Sequence, residues 1–235
     1  MTPRRHILAS VLLHLGLLAS GHALFAQVGH DPAASPYRDI PRGGGPVVSV
    51  GYLTGERGRV AVGLTNALMV GARYDVQVSG ALRATFGLTY GMGERFLIDP
   101  TKDSASRKSG PEDDGLLLAD GELQLLITGH KTWRGFAPHV SAGLGVAMGG
   151  AEPAADTSDY AFGTKFLVQS GAGVRWYPAR RLNLQLEGRV LFWKLRYPAQ
   201  YYAPASDGTS VLRFRDPSDE WTRQAWVRIG LGWTF

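Results

Sequence analysis

The sequence predicts an all-β protein, an eight-stranded antiparallel transmembrane β-barrel of up-and-down topology. Three observations predict it. Apolar and polar residues alternate over stretches longer than the roughly five or six residues usual in soluble sheets. The links between these stretches are short on one side and long on the other, and glycine is concentrated on the polar parity.

Composition removes the competing classes. Hydrophobic residues make up 44% of the 235-residue chain, yet beyond one short N-terminal stretch no window approaches the ~20 apolar residues of a membrane helix. Cysteine is absent, which excludes a disulfide scaffold, a thiolate metal site, a cysteine nucleophile and a lipid-modified cysteine.

Residues 1–26 read as a cleaved signal peptide, with Arg4 and Arg5 as basic region, Ile7 to Leu18 as apolar region and Ala19 to Ala26 as small-residue cleavage zone. Removing both arginines lowers the formal charge of +5 by two, too little to suggest nucleic acid. Residues 27–46, with Asp31-Pro32, Ser35-Pro36, Pro41 and Gly43-Gly44-Gly45, lack periodicity and are expected to be a flexible leader. Residues 47–235 are expected to form the barrel.

The first strand, about Val47 to Leu53, is the weakest, with Val48, Val50 and Tyr52 on one face. The next, Val70 to Val78, sets Val70, Ala72, Tyr74, Val76 and Val78 against Gly71, Arg73, Asp75 and Gln77. Leu82 to Gly93, Leu117 to Ile127, Phe136 to Met148, Lys165 to Trp176, Leu182 to Phe192 and Ala225 to Phe235 repeat the division. Short links fall at Ser79 to Ala81, Gly129 to Gly135 and Pro178 to Arg181; long polar ones at Leu97 to Gly115, Gly149 to Gly163 and Arg196 to Trp221. A turn centred on Gly80 would place Val78 opposite Leu82, Val76 opposite Ala84 and Tyr74 opposite Phe86.

A soluble lipocalin-type barrel would also alternate, with the opposite faces buried. The small residues favour the membrane reading: Gly87, Gly91, Gly143, Gly145, Gly171, Gly173, Gly230 and Gly232 share the polar parity, as a crowded lumen requires. The other parity is bulky and nearly uncharged, and a central Arg or Lys facing lipid would cost about 2–4 kcal/mol. Tyr74, Trp176, Tyr177, Phe192, Trp193, Trp233 and Phe235 fall where interfacial girdles belong, although the parity of Trp193 and Trp226 also fits a lumen plug.

The signal segment, the eight alternating stretches and the terminal Trp233-Thr234-Phe235 together resemble the small bacterial outer-membrane barrels of the OmpA/OmpX type and, more loosely, OmpW. The resemblance implies location in the outer membrane and a role for Trp233 and Phe235 as the signal read by the barrel-assembly machinery. It is architectural and leaves activity open. No peptidoglycan-binding domain follows the barrel in this sequence, so a wall anchor of the OmpA kind is not expected.

The inward parity carries Arg73, Asp75, Arg83, Asp120, Glu122, His139, Lys165, Arg175, Glu187, Arg189 and Arg228. All but Arg83 are expected to form a lumen charge network, because unpaired charges in a narrow bore are costly. The network reads either as a plug or as a polar path; a bore of eight strands, just wide enough for side chains, favours the plug. His139 could join Gln124 and Glu122 in a base or metal cluster, but a satisfied lumen histidine is the simpler reading.

No mature histidine lies on the lipid-facing parity, where barrel lipid A deacylases carry a His-Ser pair. Gly143-Leu144-Gly145 and Gly171-Ala172-Gly173 open no helix and read as strand glycines. Asp99, Asp103, Glu112, Asp113 and Asp114 cluster in one loop with Lys102, Arg107 and Lys108, open to a divalent ion or lipopolysaccharide or simply solvated. Tyr197, Tyr201, Tyr202 and Phe214 with Arg213 and Arg215 suit adhesion or ligand contact, and ordinary loop variation accounts for them equally well.

The function expected is that of a non-enzymatic outer-membrane protein with a structural or surface-interaction role and a charge-plugged lumen. The alternatives are a narrow, porin-like channel or hydrophobic-solute carrier resembling OmpW, and a lipid-modifying enzyme. Expected partners are outer-membrane lipids, lipopolysaccharide and the assembly machinery; a monomer without cofactor, catalytic or metal site is expected.

Overall fold

The computed structural model describes residues 35–150 and 160–235. The expected signal peptide, the start of the leader and part of the Gly149 to Gly163 link lie outside the described residues.

Ten strands follow one another: β1 (Tyr37–Asp39), β2 (Gly45–Gly55), β3 (Thr65–Ser79), β4 (Leu82–Ile98), β5 (Lys108–Leu126), β6 (Lys131–Trp133), β7 (Phe136–Gly149), β8 (Thr164–Trp176), β9 (Leu182–Arg196) and β10 (Asp219–Trp233). Eight of them form the wall, in the order β2, β3, β4, β5, β7, β8, β9 and β10, each antiparallel to its neighbour. β10 returns to β2, pairing Leu231 with Val48 and Ala225 with Thr54, so the sheet closes and leaves no wall edge unpaired.

β1 and β6 are extra to the wall and pair beneath it, Tyr37 with Trp133 through Asp39 with Lys131. This corrects the flexible leader in its described part alone. Residues 37–39 are ordered by strand pairing, and the wall begins at Gly45 rather than Val47. The register around Gly80 also differs by one step. Tyr74 faces Phe86 and Val76 faces Ala84 as expected, but Ser79, not Val78, faces Leu82, because a bulge between Gln77 and Ser79 leaves Val78 over.

The alternation sorts the two faces. On β10, Trp233, Leu231, Ile229, Val227 and Ala225 point outward, while Arg228, Trp226, Gln224 and Thr222 are buried. From Trp233 to Arg223 is about 33 Å along the strand and about 25 Å along a membrane normal at a 40° tilt, the height of an outer-membrane apolar band. Trp133, Phe136, Trp176 and Trp233 are exposed where the short turns lie, with Phe136 and Trp176 stacked at 6.1 Å; Tyr52, Tyr90, Phe166 and Trp221 are exposed toward the long-loop end. Short turns are periplasmic in such barrels, which fixes the orientation used below.

Candidate functional site in the barrel lumen

Because inward residues alternate along every strand, the wall delivers its polar side chains to one bore, and chain position along each strand sets their depth. Three levels follow from this, beginning at the periplasmic mouth.

There residues 35–44 cross the opening. Arg134 donates its backbone N–H to the Pro36 carbonyl at 2.7 Å and Ile40 to the His130 carbonyl at 2.9 Å; Ile40 packs on Leu126, Ala137 and Tyr177. Arg83 rises from the wall and donates to the Gly43 carbonyl at 3.2 Å, while Gly43 donates to Gln77 at 3.4 Å.

The middle level is ionic. Glu187 accepts from Arg73 at 2.6 Å, Arg228 at 2.6 Å and Arg189 at 3.1 Å. Glu122 lies 3.3 Å from Arg73 and 3.7 Å from Arg228, and also accepts from Arg189, from Thr85 at 3.1 Å and from Gln124 at 2.6 Å. Arg175 donates to Asp75 at 2.6 Å, Arg73 lies 3.4 Å from the same carboxylate, and Arg189 reaches Asp120 at 3.2 Å. Amides extend the lattice: Gln185 accepts from Arg73, Gln124 from Arg175, and Gln169 bridges Arg189 and Asp120.

Nine of the ten residues expected in the network therefore stand together. Lys165 does not. It sits at the extracellular end, its ammonium 5.7 Å from the Phe162 ring centroid, because its place on β8 is too high to reach the acids. His139 is 1% exposed with its Nε2 3.4 Å from Glu187, so it does not form the alternative cluster with Glu122 and Gln124; neither ring nitrogen makes a well-formed hydrogen bond, which corrects the reading of a satisfied histidine. Among the described residues no group of three His, Asp or Glu side chains is placed to hold a metal.

The outer level is apolar, which the inward-polar reading missed. Leu53, Met69, Leu116, Leu118, Leu167, Leu191, Trp193 and Trp226 are inward and buried, and Val62, Leu64, Tyr160, Phe162 and Leu212 descend onto them from the loops. Trp193 meets the edge of Phe162 at 5.8 Å and is fully buried, so it belongs to the plug and not to the girdle. The seam between the levels is Trp226, whose ring carries Arg228 at 4.8 Å and Arg189 at 5.5 Å. The signal was present in the sequence, since the inward parity turns apolar at the long-loop end of β5, β8 and β9.

The extracellular loops are tied to each other. Ser206 donates to Asp103 at 2.6 Å, Ser104 to Asp207 at 2.9 Å and Arg107 to the Thr209 carbonyl at 3.3 Å. Asp114 is instead held by Arg95 at 2.9 Å and Asp99 by Thr101, so the loop acids are divided among separate partners. Burial, followed by a hydrogen bond to Glu220, pushes the Tyr197 phenol well above its ordinary range. Tyr197 and Tyr201 are buried in the apolar cap, which corrects their assignment to a contact surface; Phe214 is 96% exposed.

No protein-family model matches the chain, and no curated protein matches it by sequence. Among solved structures it resembles Neisserial surface protein A, at 11% identity and a TM-score of 0.51 over 86% of this chain and 98% of that one. It also resembles a major outer membrane protein of Thermus thermophilus, at 12% identity and 0.40 over 82% and 98%. Ail of Yersinia pestis matches at 12% and 0.37 over 83% and 100%. The fold is that of the small bacterial outer-membrane β-barrels.

Proposed function

We propose that the protein is a monomeric outer-membrane barrel with a non-conducting lumen that acts through its outer surface, in a structural or surface-interaction role. One observation carries the reading: a level of paired charges and a level of packed apolar side chains lie in series across the same bore. A water path would need to break both. The burial of His139 keeps that one side chain from a lipid substrate; the reading takes the protein as non-enzymatic and without a cofactor. The exposed Phe214 between Arg213 and Arg215 supports a contact made at the loop tips, with lipopolysaccharide or another surface. Export by a signal peptide cleaved near Ala26 and assembly through Trp233 and Phe235 complete the proposal.

Planar-bilayer recording tests it. The wild type is expected to give no reproducible unitary conductance, and steady channels would overturn the closed lumen in favour of the channel alternative. Lipid A mass spectra unchanged by expression of the protein are expected on the same reading; a changed acyl pattern would make it an enzyme. Intact mass of the membrane-extracted chain checks the cleavage, and retention of Arg4 and Arg5 would refute it.

A further inference from the structure

Residues 35–42, crossing the periplasmic mouth, leave a cleft of about 740 Å³ between themselves and the turns at 132–135 and 177–180. Arg38 and Arg42 line it from the crossing segment, Arg134 and Arg180 from the turns, and Asp39 is the one acid in the lining. Lys131 and Arg181 are the chain neighbours of the lining residues Thr132 and Arg180. Outside the lumen, the described residues of this end thus set six Arg and Lys side chains against one side-chain carboxylate, Asp39, which His130 approaches at 3.8 Å.

The opposite end is different. There acids and bases interleave and pair, as Arg57 does with Glu94, Arg59 with Asp216 and Lys194 with Asp219. The periplasmic excess is therefore local, and an unneutralised cluster of arginines around a concavity attracts an anion.

Two members of the cluster are also held in place. The β1–β6 pairing fixes the backbone at Arg38, and Arg134 adopts a positive φ of 51° with its N–H bonded to Pro36 and its guanidinium 5.3 Å from the Trp133 ring centroid. Depth adds the chemistry. Trp176 is exposed at the end of wall strand β8 and Trp133 on β6 just beneath the wall, where the bilayer gives way to headgroups; Arg134 follows Trp133 directly, and Arg180 lies in the turn after Trp176. The arginines stand at the level of the inner-leaflet phosphates, and the planar guanidinium fork matches phosphate oxygens in pairs.

We propose that this cleft binds a phosphate group, presented by the headgroup of an inner-leaflet phospholipid or by a soluble phosphate compound of the periplasm. Its volume suits a headgroup-sized molecule. Lys131 and Arg181 supply the surrounding field, and Tyr177 with Pro178 gives the cleft an apolar wall.

The test uses the folded full-length protein extracted from outer membranes. Inorganic pyrophosphate is titrated by calorimetry in zwitterionic detergent; in parallel, phosphatidylglycerol retained from phosphatidylcholine nanodiscs doped with it is counted by native mass spectrometry. Saturable binding of pyrophosphate assigns a soluble ligand, and retention of phosphatidylglycerol alone assigns a lipid headgroup. Either should weaken by about tenfold or more in R134Q/R180Q, and likewise in R38Q/R42Q, while R196Q/R223Q, at the long-loop end of β9 and β10, binds as the wild type does. Two pairs are used so that a folding failure in one, detected by heat-dependent gel mobility, leaves the other decisive. Binding of neither probe, or equal binding by folded arginine-depleted variants, overturns the site.

Discussion

Arg228 and Glu187 stand directly opposite each other on adjacent strands, and Arg228 donates from Nε at 2.9 Å and Nη2 at 2.6 Å to one carboxylate oxygen. Arg73 holds the other oxygen of the same carboxylate from β3 at 2.6 Å. One side chain thus fastens three strands through the bore. Such a buried group gains little from any single pair, because desolvation opposes each Coulombic gain. Its stability depends on every neighbour being present.

Removing it should therefore cost more than any one bond suggests. Glu187→Ala leaves Arg73 and Arg228 buried and under-compensated, and is expected to destabilise the barrel by about 3–5 kcal/mol. Replacing Arg228 and Glu187 together by Met and Leu should cost less than the single change. Urea unfolding from lipid vesicles measures both, and a neutral Glu187→Ala would mean that water, not protein, solvates these charges.

The apolar level makes a separate prediction. Trp193→Ala opens a cavity beneath Phe162 that a rigid wall cannot collapse, with an expected loss of about 3–5 kcal/mol. Trp221→Ala, on the lipid-facing wall, should cost clearly less in the same unfolding assay, since Trp221 is exposed. Equal losses would contradict the inward placement of Trp193.

Wall and faces were readable because period-two alternation reports which way each side chain points, and β9 and β10 keep it through their length. Depth was not readable, because parity does not say how far up the bore a residue lies. Lys165 shares its parity with Gln169 and Arg175 yet stands above the acids. The apolar cap escaped for a related reason: Val62, Tyr160 and Leu212 lie in segments without periodicity, and only the closed ring brings them over Trp193. Glycine and proline in the leader signalled a break in periodicity, but the β1–β6 pairing is a long-range contact that local sequence does not encode.

The cross-linked loops carry a pH signature. Hydrogen bonds from Thr209 and Ser104 hold the Asp207 carboxyl well below its ordinary range. A depressed carboxylate contributes its stabilisation above the undocked value of about 3.9 and loses it as pH falls through the lower docked value. Protease resistance of the loops should then be constant from pH 8 to about 5 and decline only below about 4. Asp207→Ala should raise loop cleavage at neutral pH, and a transition near pH 6 would implicate a different group.

Phe235 joins the chain end to the leader, its N–H donating to the Gly44 carbonyl at 3.1 Å while its ring is 70% exposed. An aromatic ring presented to the membrane interface beside the closing strand pair suits recognition during assembly. Phe235→Asp is expected to lower the folded fraction in outer membranes, read from heat-dependent gel mobility, while retaining a wild-type unfolding midpoint in the molecules that fold. An unchanged folded yield would remove the terminal signal.

The sharpest separation of a membrane barrel from a soluble one comes from the outer wall at Leu144. Leu144 faces outward midway along β7, opposite Gly121 and Val168, with no polar side chain beside it in that row. In a bilayer, Leu144→Arg places a cation near the midplane and should cost about 2–4 kcal/mol, with a smaller loss for the same change at the interfacial Trp233. In a soluble barrel that face would be hydrated, and an exposed Leu→Arg change would stay within about 0.5 kcal/mol. Equilibrium unfolding from vesicles measures the depth dependence directly. A flat profile from Leu144 to Trp233 would rule out the lipid-facing belt, whatever the state of the lumen.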